Sequence, residues 1–371
     1  MEHLDLLDNV ERVLFEDEQA LEMVPIYHVK RFFERIDPFT AYNDREFRLN
    51  FRLSKESVIE LTRLIAPHLK PQRNYREFTP LEMVCLTLSN LGGDEFHRTS
   101  GRLVRCDQGT VTRVLDQTLD AINTLKPDYI RFPTQREAAE SAQLIKDRFG
   151  LDRFAYGIDG VHMIFNSMPR NAPVHTDHFL NRKMRYSLNV MVIADAYHRI
   201  LDLDLRYPGC AHDAKIWRDS SAQTYLKGQP WYLAGDAGYP LSPVLIKPFL
   251  NPVNRQQRLF NARLSGARTV MTENVYGIWK KRFPVMTNLR FHHAKAMKAV
   301  LATAILHNYA ISRNDTDVED FEELPFFDED DDFPVVEDYR SPEHVRRAGE
   351  QVRNQIVATM PGPRSARERR I

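Results

Sequence analysis

Apolar positions follow helical spacing along the first part of the chain and change to strand-like runs after about residue 150. Residues 1–45 read as a helical lead-in, and Phe51 to about Thr124 is helical throughout. Thr79-Pro80-Leu81-Glu82 is a helix start: Thr79 is an N-cap, Pro80 suits the first turn, and Glu82 can close a capping box. Leu81, Val84, Cys85 and Leu88 then recur at helical spacing, and Gly92-Gly93 ends the run. A short helix over Arg98 to Val104, a turn, and a longer helix from Gln108 with Asp107 as N-cap follow. That outline fits a helix-turn-helix and fits an ordinary helical hairpin equally well. Four strands are then expected: FAYGID (154–159), YSLNVMVIADA (186–196), RILDLDL (199–205) and WYLAGD (231–236). The second is nearly all apolar, as a buried strand requires, and Tyr197-His198 turns it into the third. Helices over ENVYGIWKKRF and HHAKAMKAVLATAILHNYAI complete an α/β arrangement of a sheet with flanking helices.

Composition alters this picture in one respect. With 43% hydrophobic and 27% charged residues, the chain has the make-up of an ordinary globular protein, and its 371 residues allow more than one domain. Its formal net charge is zero, but thirteen Asp and Glu fall between Asp315 and Asp338 with no Lys or Arg among them. The remainder has 51 basic against 38 acidic residues, a net of +13, suited to a phosphate backbone. The acidic stretch reads as a solvated linker, or as a mask over the basic surface. The expected organisation is a lead-in over 1–45, a helical helix-turn-helix-like domain over 46–126, an α/β domain over 151–313, and an acidic linker with a basic tail, disordered, over 314–371. No apolar stretch reaches the length of a membrane span, and the acidic N-terminus does not have the form of a signal peptide, so nucleus and cytoplasm are the expected compartments. Cys85, Cys106 and Cys210 are far apart and read as reduced packing residues.

Two carboxylates, Asp159 and Asp236, each stand beside glycine where an apolar run leaves the sheet, the place where open α/β sheets hold ligands. Taken singly, each is also a plausible turn former or cap. Brought side by side they would repel unless a cation lay between them. An all-oxygen site suits Mg²⁺ or Mn²⁺, and two such ions can activate water and stabilise a phosphodiester leaving group. Glu273 opens a helix behind Thr272, a candidate N-cap, and Lys280, Lys281 and Arg282 lie two turns further on, a carboxylate and a basic patch on one helix. His292 and His293 are adjacent, point to different sides of a helix, and read as surface or capping residues.

Ile158-Asp159-Gly160, Gly235-Asp236-Ala237-Gly238-Tyr239-Pro240 and Glu273-Asn274-Val275-Tyr276-Gly277-Ile278-Trp279-Lys280-Lys281-Arg282-Phe283 resemble, in order and spacing, the three acidic motifs of Harbinger-type DDE transposases. Thirty-six residues separate Asp236 from Glu273. Asn181-Arg182-Lys183, Tyr186-Ser187-Leu188-Asn189, Pro208-Gly209, His212-Asp213 and Leu306-His307-Asn308 are similar to landmarks between them, and the resemblance spans roughly residues 50 to 310. It implies an RNase H-like mixed sheet preceded by a helix-turn-helix region. It also implies a metal-dependent DNA endonuclease with Asp159, Asp236 and Glu273 as catalytic metal ligands around two Mg²⁺ or Mn²⁺ ions. Asp213 is implied in support, and Arg98, Arg113, Lys280, Lys281 and Arg282 are the residues expected to meet DNA. A separate Myb-like protein as targeting partner is implied by the resemblance alone. Two departures stand out: Val161 where the family has Thr, and Met184-Arg185 where it has small residues. With the acidic segment and the neutral charge, they support a second reading, a domesticated DNA-binding or adaptor protein that cleaves weakly or not at all.

Overall fold

The computed structural model describes residues 37–70, 78–93, 108–169, 171–315 and 341–363. Helix α1 (Asp44–Phe51) opens on a capping box between Asn43 and Glu46. Helix α2 (Lys55–Ile65) follows, capped by Ser54. Helix α3 (Pro80–Gly92) has the expected cap: Thr79 Oγ1 accepts from the Glu82 amide, and Glu82 accepts from the Thr79 amide at 2.7 Å. Helix α4 is described over Gln108–Asn123, while Asp107, Arg98 and the helix expected over Arg98 to Val104 lie outside the described residues. Helix α5 (Gln135–Phe149) leads into the sheet, opened by a Thr134–Glu137 capping box and closed by Gly150 in the left-handed region.

The sheet has five strands: β1 (Phe154–Ile164), β2 (Ser187–Asp195), β3 (Ile200–Pro208), β4 (Tyr232–Ala234) and β5 (Leu245–Ile246). Their order is β3-β2-β1-β4-β5, with β1, β2 and β3 antiparallel and β1, β4 and β5 parallel. Every residue of β2 is buried, as its apolar run requires. The chain turns from β2 to β3 at His198, whose φ of 62° is the left-handed geometry of a tight hairpin.

After the antiparallel strands come α6 (Asp213–Arg218), α7 (Arg255–Met271), α8 (Glu273–Arg282), α9 (His293–Ser312) and α10 (Glu343–Thr359). One face of the sheet, with Val161, Met163, Val190 and Val192, shares a continuous apolar core with α8 and α9 and with Leu61, Leu88 and Leu119 of the leading helices. The opposite face, with Tyr156, Ile158, Met191 and Ile193, packs against α5 and α6 through Ala138, Ala142, Ile216 and Trp217. Asn308 of α9 pins the helix to β3: its Oδ1 accepts from the Ile200 amide, and its Nδ2 donates to the Ile200 and Tyr129 carbonyls. Among the described residues no helix is long and apolar enough to cross a membrane.

The structure departs from the sequence expectations at several points. β1 continues to Ile164, so Asp159 sits within the strand instead of at its end, because Gly160 to Ile164 pair with Ser187 to Met191. Helix α10 forms inside the stretch expected to be a disordered tail. Val352, Ile356 and Val357 are spaced for one face of a helix, and they join the core around Phe154, Ala234 and Leu264. Asp315, counted with the acidic linker, is buried and accepts from the Ser54 amide at 2.8 Å while pairing with Arg48. Cys85 is buried, but Cys210 is exposed; Cys106 lies outside the described residues.

Candidate functional site

β4 is only three residues long and pairs with β1 from Phe154 to Gly157, so the side of β1 away from β2 is open at Asp159. Side chains from both faces of the sheet reach that opening. Asp159 points to the face carrying α7 and α8; its neighbour Gly160 points to the other, by strand alternation.

Two glycines make the approach possible. A Cβ at Gly157 would lie 2.8 Å from Met271 Cβ and 2.9 Å from Thr272 Cγ2, so its absence lets the junction of α7 and α8 rest on the strand. A Cβ at Gly160 would strike the Asp213 carboxyl, with Cγ at 2.7 Å, so the missing side chain is what admits Asp213. Asp213 is the first residue of α6, and Asn189 Nδ2 donates to its Oδ1 at 2.7 Å.

Thr272 is where one helix ends and the next begins, but it is not the side-chain cap expected. Its hydroxyl donates back to the Arg268 carbonyl at 2.9 Å, and its φ and ψ of −129° and −63° break the helix there. The break turns Glu273 toward Asp159. Between them lies Arg268, from the last turn of α7: its NH1 is 2.6 Å from Asp159 Oδ2 and its NH2 is 2.8 Å from Glu273 Oε1. The Arg268 side chain is 10% exposed, against 15% for that of Asp159 and 31% for that of Glu273. Asp159 Oδ1 also accepts from the Gly160 amide at 2.9 Å, and the Tyr276 hydroxyl of α8 donates to the Asp159 carbonyl at 2.9 Å.

Asp236 lies two residues beyond β4 in a turn where its Oδ1 accepts from the Gly238 amide at 3.1 Å. Tyr239, three residues on, is fully buried, and its hydroxyl has no hydrogen-bond partner among the described residues. Burial pushes the Tyr239 phenol well above its ordinary range, with Asp213, Asp159 and Asp236 adding to the shift. Burial does the same to Tyr276, helped by Asp159, Asp213 and Glu273 and opposed by Arg268. Asp159 and Asp213 thus act on both phenols, Asp236 on Tyr239 and Glu273 on Tyr276, and both phenols stay protonated. Among the described residues no three His, Cys, Asp or Glu converge as a metal-holding group. Arg268 fills the space between Asp159 and Glu273, and Asp213 approaches from the other face.

The donor chemistry nonetheless suits a hard divalent cation: carboxylate oxygens, a desolvated phenol with an open hydrogen-bonding capacity, and a space that already holds positive charge. Of the basic residues expected at DNA, Arg113 on α4 and Lys281 are exposed and Lys280 is half-buried. Arg282 is only 4% exposed, turned inward near His307. Sequence reasoning did not find Arg268, because a lone arginine in an otherwise unremarkable helix carries no spacing signal. His292 does cap α9, its Nδ1 accepting from the Lys295 amide, while His293 packs on Phe179.

A family model described as DDE superfamily endonuclease matches residues 158–308, a stretch that holds all four acidic residues. Residues 158–308 are therefore similar to a DDE superfamily endonuclease domain. Curated relatives cover more of the chain. HARBI1 of Homo sapiens, whose name marks it as a candidate nuclease, is 22% identical over 270 residues, 69% of this chain and 75% of that protein. Antagonist of Like Heterochromatin Protein 1 of Arabidopsis thaliana is 23% identical over 299 residues, 73% of this chain and 74% of that protein. An ALP1-like protein of the same plant is 22% identical over 265 residues, 64% of this chain and 62% of that protein. These relatives are Harbinger-derived proteins. No solved structure gives a significant match.

Proposed function

We propose that the protein is a metal-dependent DNA endonuclease in which Asp159, Asp236 and Glu273 hold the metal and Asp213 supports them. The observation that carries the reading is the gap beside β1, where a stretch similar to a DDE superfamily endonuclease domain draws Asp159 and Glu273 onto a single cation, with Asp213 against the neighbouring Gly160. The strand order β3-β2-β1-β4-β5, with its antiparallel and parallel halves, supports an RNase H-like sheet. Helix α4 stands for the second helix of the helix-turn-helix outline in the same reading and carries the exposed Arg113, while the first, over Arg98 to Val104, lies outside the described residues.

Asp159, Asp236 and Glu273 would hold a divalent ion, which would supply polarisation of a phosphodiester and a more nucleophilic water near neutral pH. The chain's own groups do the rest. Tyr276 fixes β1 at Asp159 by donating to its carbonyl. Asn189 orients Asp213. Tyr239 and Tyr276, held protonated by burial, add no negative charge and keep water out of the site's floor. Lys280, Lys281 and Arg113 meet the phosphate backbone and position it without reading sequence.

Purified protein incubated with supercoiled plasmid and Mg²⁺ or Mn²⁺ is expected to nick it, and Asp159→Asn and Asp236→Asn are expected to lose on the order of a hundredfold or more in rate. Nicking that persists in both variants refutes the site. A second reading, a DNA-binding protein with weak or no cleavage, has Arg268 in its favour, because a guanidinium already neutralises two of the ligands. Plasmid binding without nicking selects it.

A further inference from the structure

We infer that Arg268 is an internal counter-cation that competes with the metal for Asp159 and Glu273, and that the site loads only when this guanidinium leaves. The inference rests on the metal-site reading above and concerns what that reading does not supply, namely why the ligands are closed on themselves.

The argument is one of charge and geometry. The forked guanidinium reaches Asp159 with one nitrogen at 2.6 Å and Glu273 with the other at 2.8 Å. Both contacts are in the range of strong charge-assisted bonds. A single positive charge shared by two carboxylates leaves the trio with net charge −1, whereas a divalent ion in the same place makes it neutral. Removing the guanidinium without replacing it leaves two partly buried carboxylates facing each other, which is costly. The two cations therefore exclude one another, and each stabilises the fold.

The local structure is suited to such an exchange. The Arg268 backbone is held by two bonds to its carbonyl, from the Thr272 amide at 2.8 Å and the Thr272 hydroxyl at 2.9 Å. These bonds do not involve the side chain, so displacing the guanidinium does not of itself unwind α7. Arg268 lies five residues before Glu273 across the break at Thr272, so one guanidinium reaches a carboxylate on its own helix junction and another on β1.

Mn²⁺ titrations by calorimetry, with melting temperatures measured with and without Mn²⁺, test the inference on the full chain. The parent, Arg268→Gln, Arg268→Lys and Asp159→Asn are compared. Arg268→Gln is expected to bind Mn²⁺ about tenfold more tightly or better. It is also expected to melt lower than the parent without metal and to gain more than the parent from Mn²⁺. Arg268→Lys, whose single ammonium cannot bridge both carboxylates as a fork does, is expected to fall between. If Arg268→Gln does not fold without metal, refolding in Mn²⁺ is expected to recover it, and failure to recover overturns the inference. Equal or weaker Mn²⁺ affinity in Arg268→Gln, with binding still abolished by Asp159→Asn, overturns the inference and leaves the metal site standing. Absence of Asp159-dependent binding in parent and Arg268→Gln alike overturns both.

Discussion

Replacing Gly160 by alanine places a methyl group where the Asp213 carboxyl now lies. Asp213 Cγ would be 2.7 Å from the new Cβ, while ordinary contact begins at 3.4 Å. Asp213 or the strand must therefore retreat by about 0.7 Å, an overpacking strain of roughly 1–3 kcal/mol. Retreat of Asp213 also stretches its 2.7 Å bond from Asn189, and a carboxylate misplaced by about 1 Å lowers turnover on the order of a hundredfold. Chemical denaturation of Gly160→Ala, Asp213→Ala and the double variant gives the packing part independently of activity. If the two groups collide, alanine at 160 costs stability in the parent and within about 0.5 kcal/mol of nothing once Asp213 has been cut back, a coupling of at least about 0.5 kcal/mol. Equal cost in both backgrounds refutes the reasoning, because the strain would then have nothing to do with Asp213. Plasmid nicking completes the test: the double variant is expected to regain stability without regaining cleavage.

Two other predictions concern stability alone. Burial, with Arg282 adding to it, lowers the His307 imidazole to about 3, while its Nε2 contacts the His198 carbonyl at 2.8 Å. The unfolded chain takes up a proton near pH 6.5 that the folded chain refuses, so stability is full above about 6.5 and falls toward pH 3, by roughly 3 kcal/mol at pH 4.5. His307→Gln is expected to flatten that acid limb in denaturation curves between pH 6.5 and 4.5, and an unchanged slope contradicts it. Met184 has φ 55° at the tip of a turn and is 75% exposed, so its side chain contributes little packing. Met184→Gly removes the left-handed strain and is expected to stabilise by about 0.5–1 kcal/mol, read as a higher denaturation midpoint.

How much of this was visible in the sequence differs from element to element. The capping box at Thr79 and Glu82, the buried run of β2 and the hairpin at His198 depend on neighbours a few residues away, and local pattern was enough for each. The far half of β1, Gly160 to Ile164, depends on pairing with a strand more than twenty residues on, and its glycine and histidine hide the alternation. β5 is two residues long and has no periodicity to read. The positions of Asp159, Asp236 and Glu273 came from ordered motifs, whereas their electrostatic partner did not. Arg268 and the orphaned Tyr239 hydroxyl become meaningful only when a strand, a helix junction and a loop meet. Thr272 looked like a cap by residue type, but its hydroxyl is taken by its own preceding turn.

The opening beside β1 has one more consequence. A strand without a neighbour offers unpaired amides and carbonyls to any other chain that arrives extended, the usual route to intermolecular strand addition. Here that backbone is answered locally: Tyr276 takes the Asp159 carbonyl, and further along the Leu289 amide takes the Ile164 carbonyl while Leu289 in turn accepts from Asn166. The two carbonyls are thereby withheld from a foreign strand by groups that also line the site.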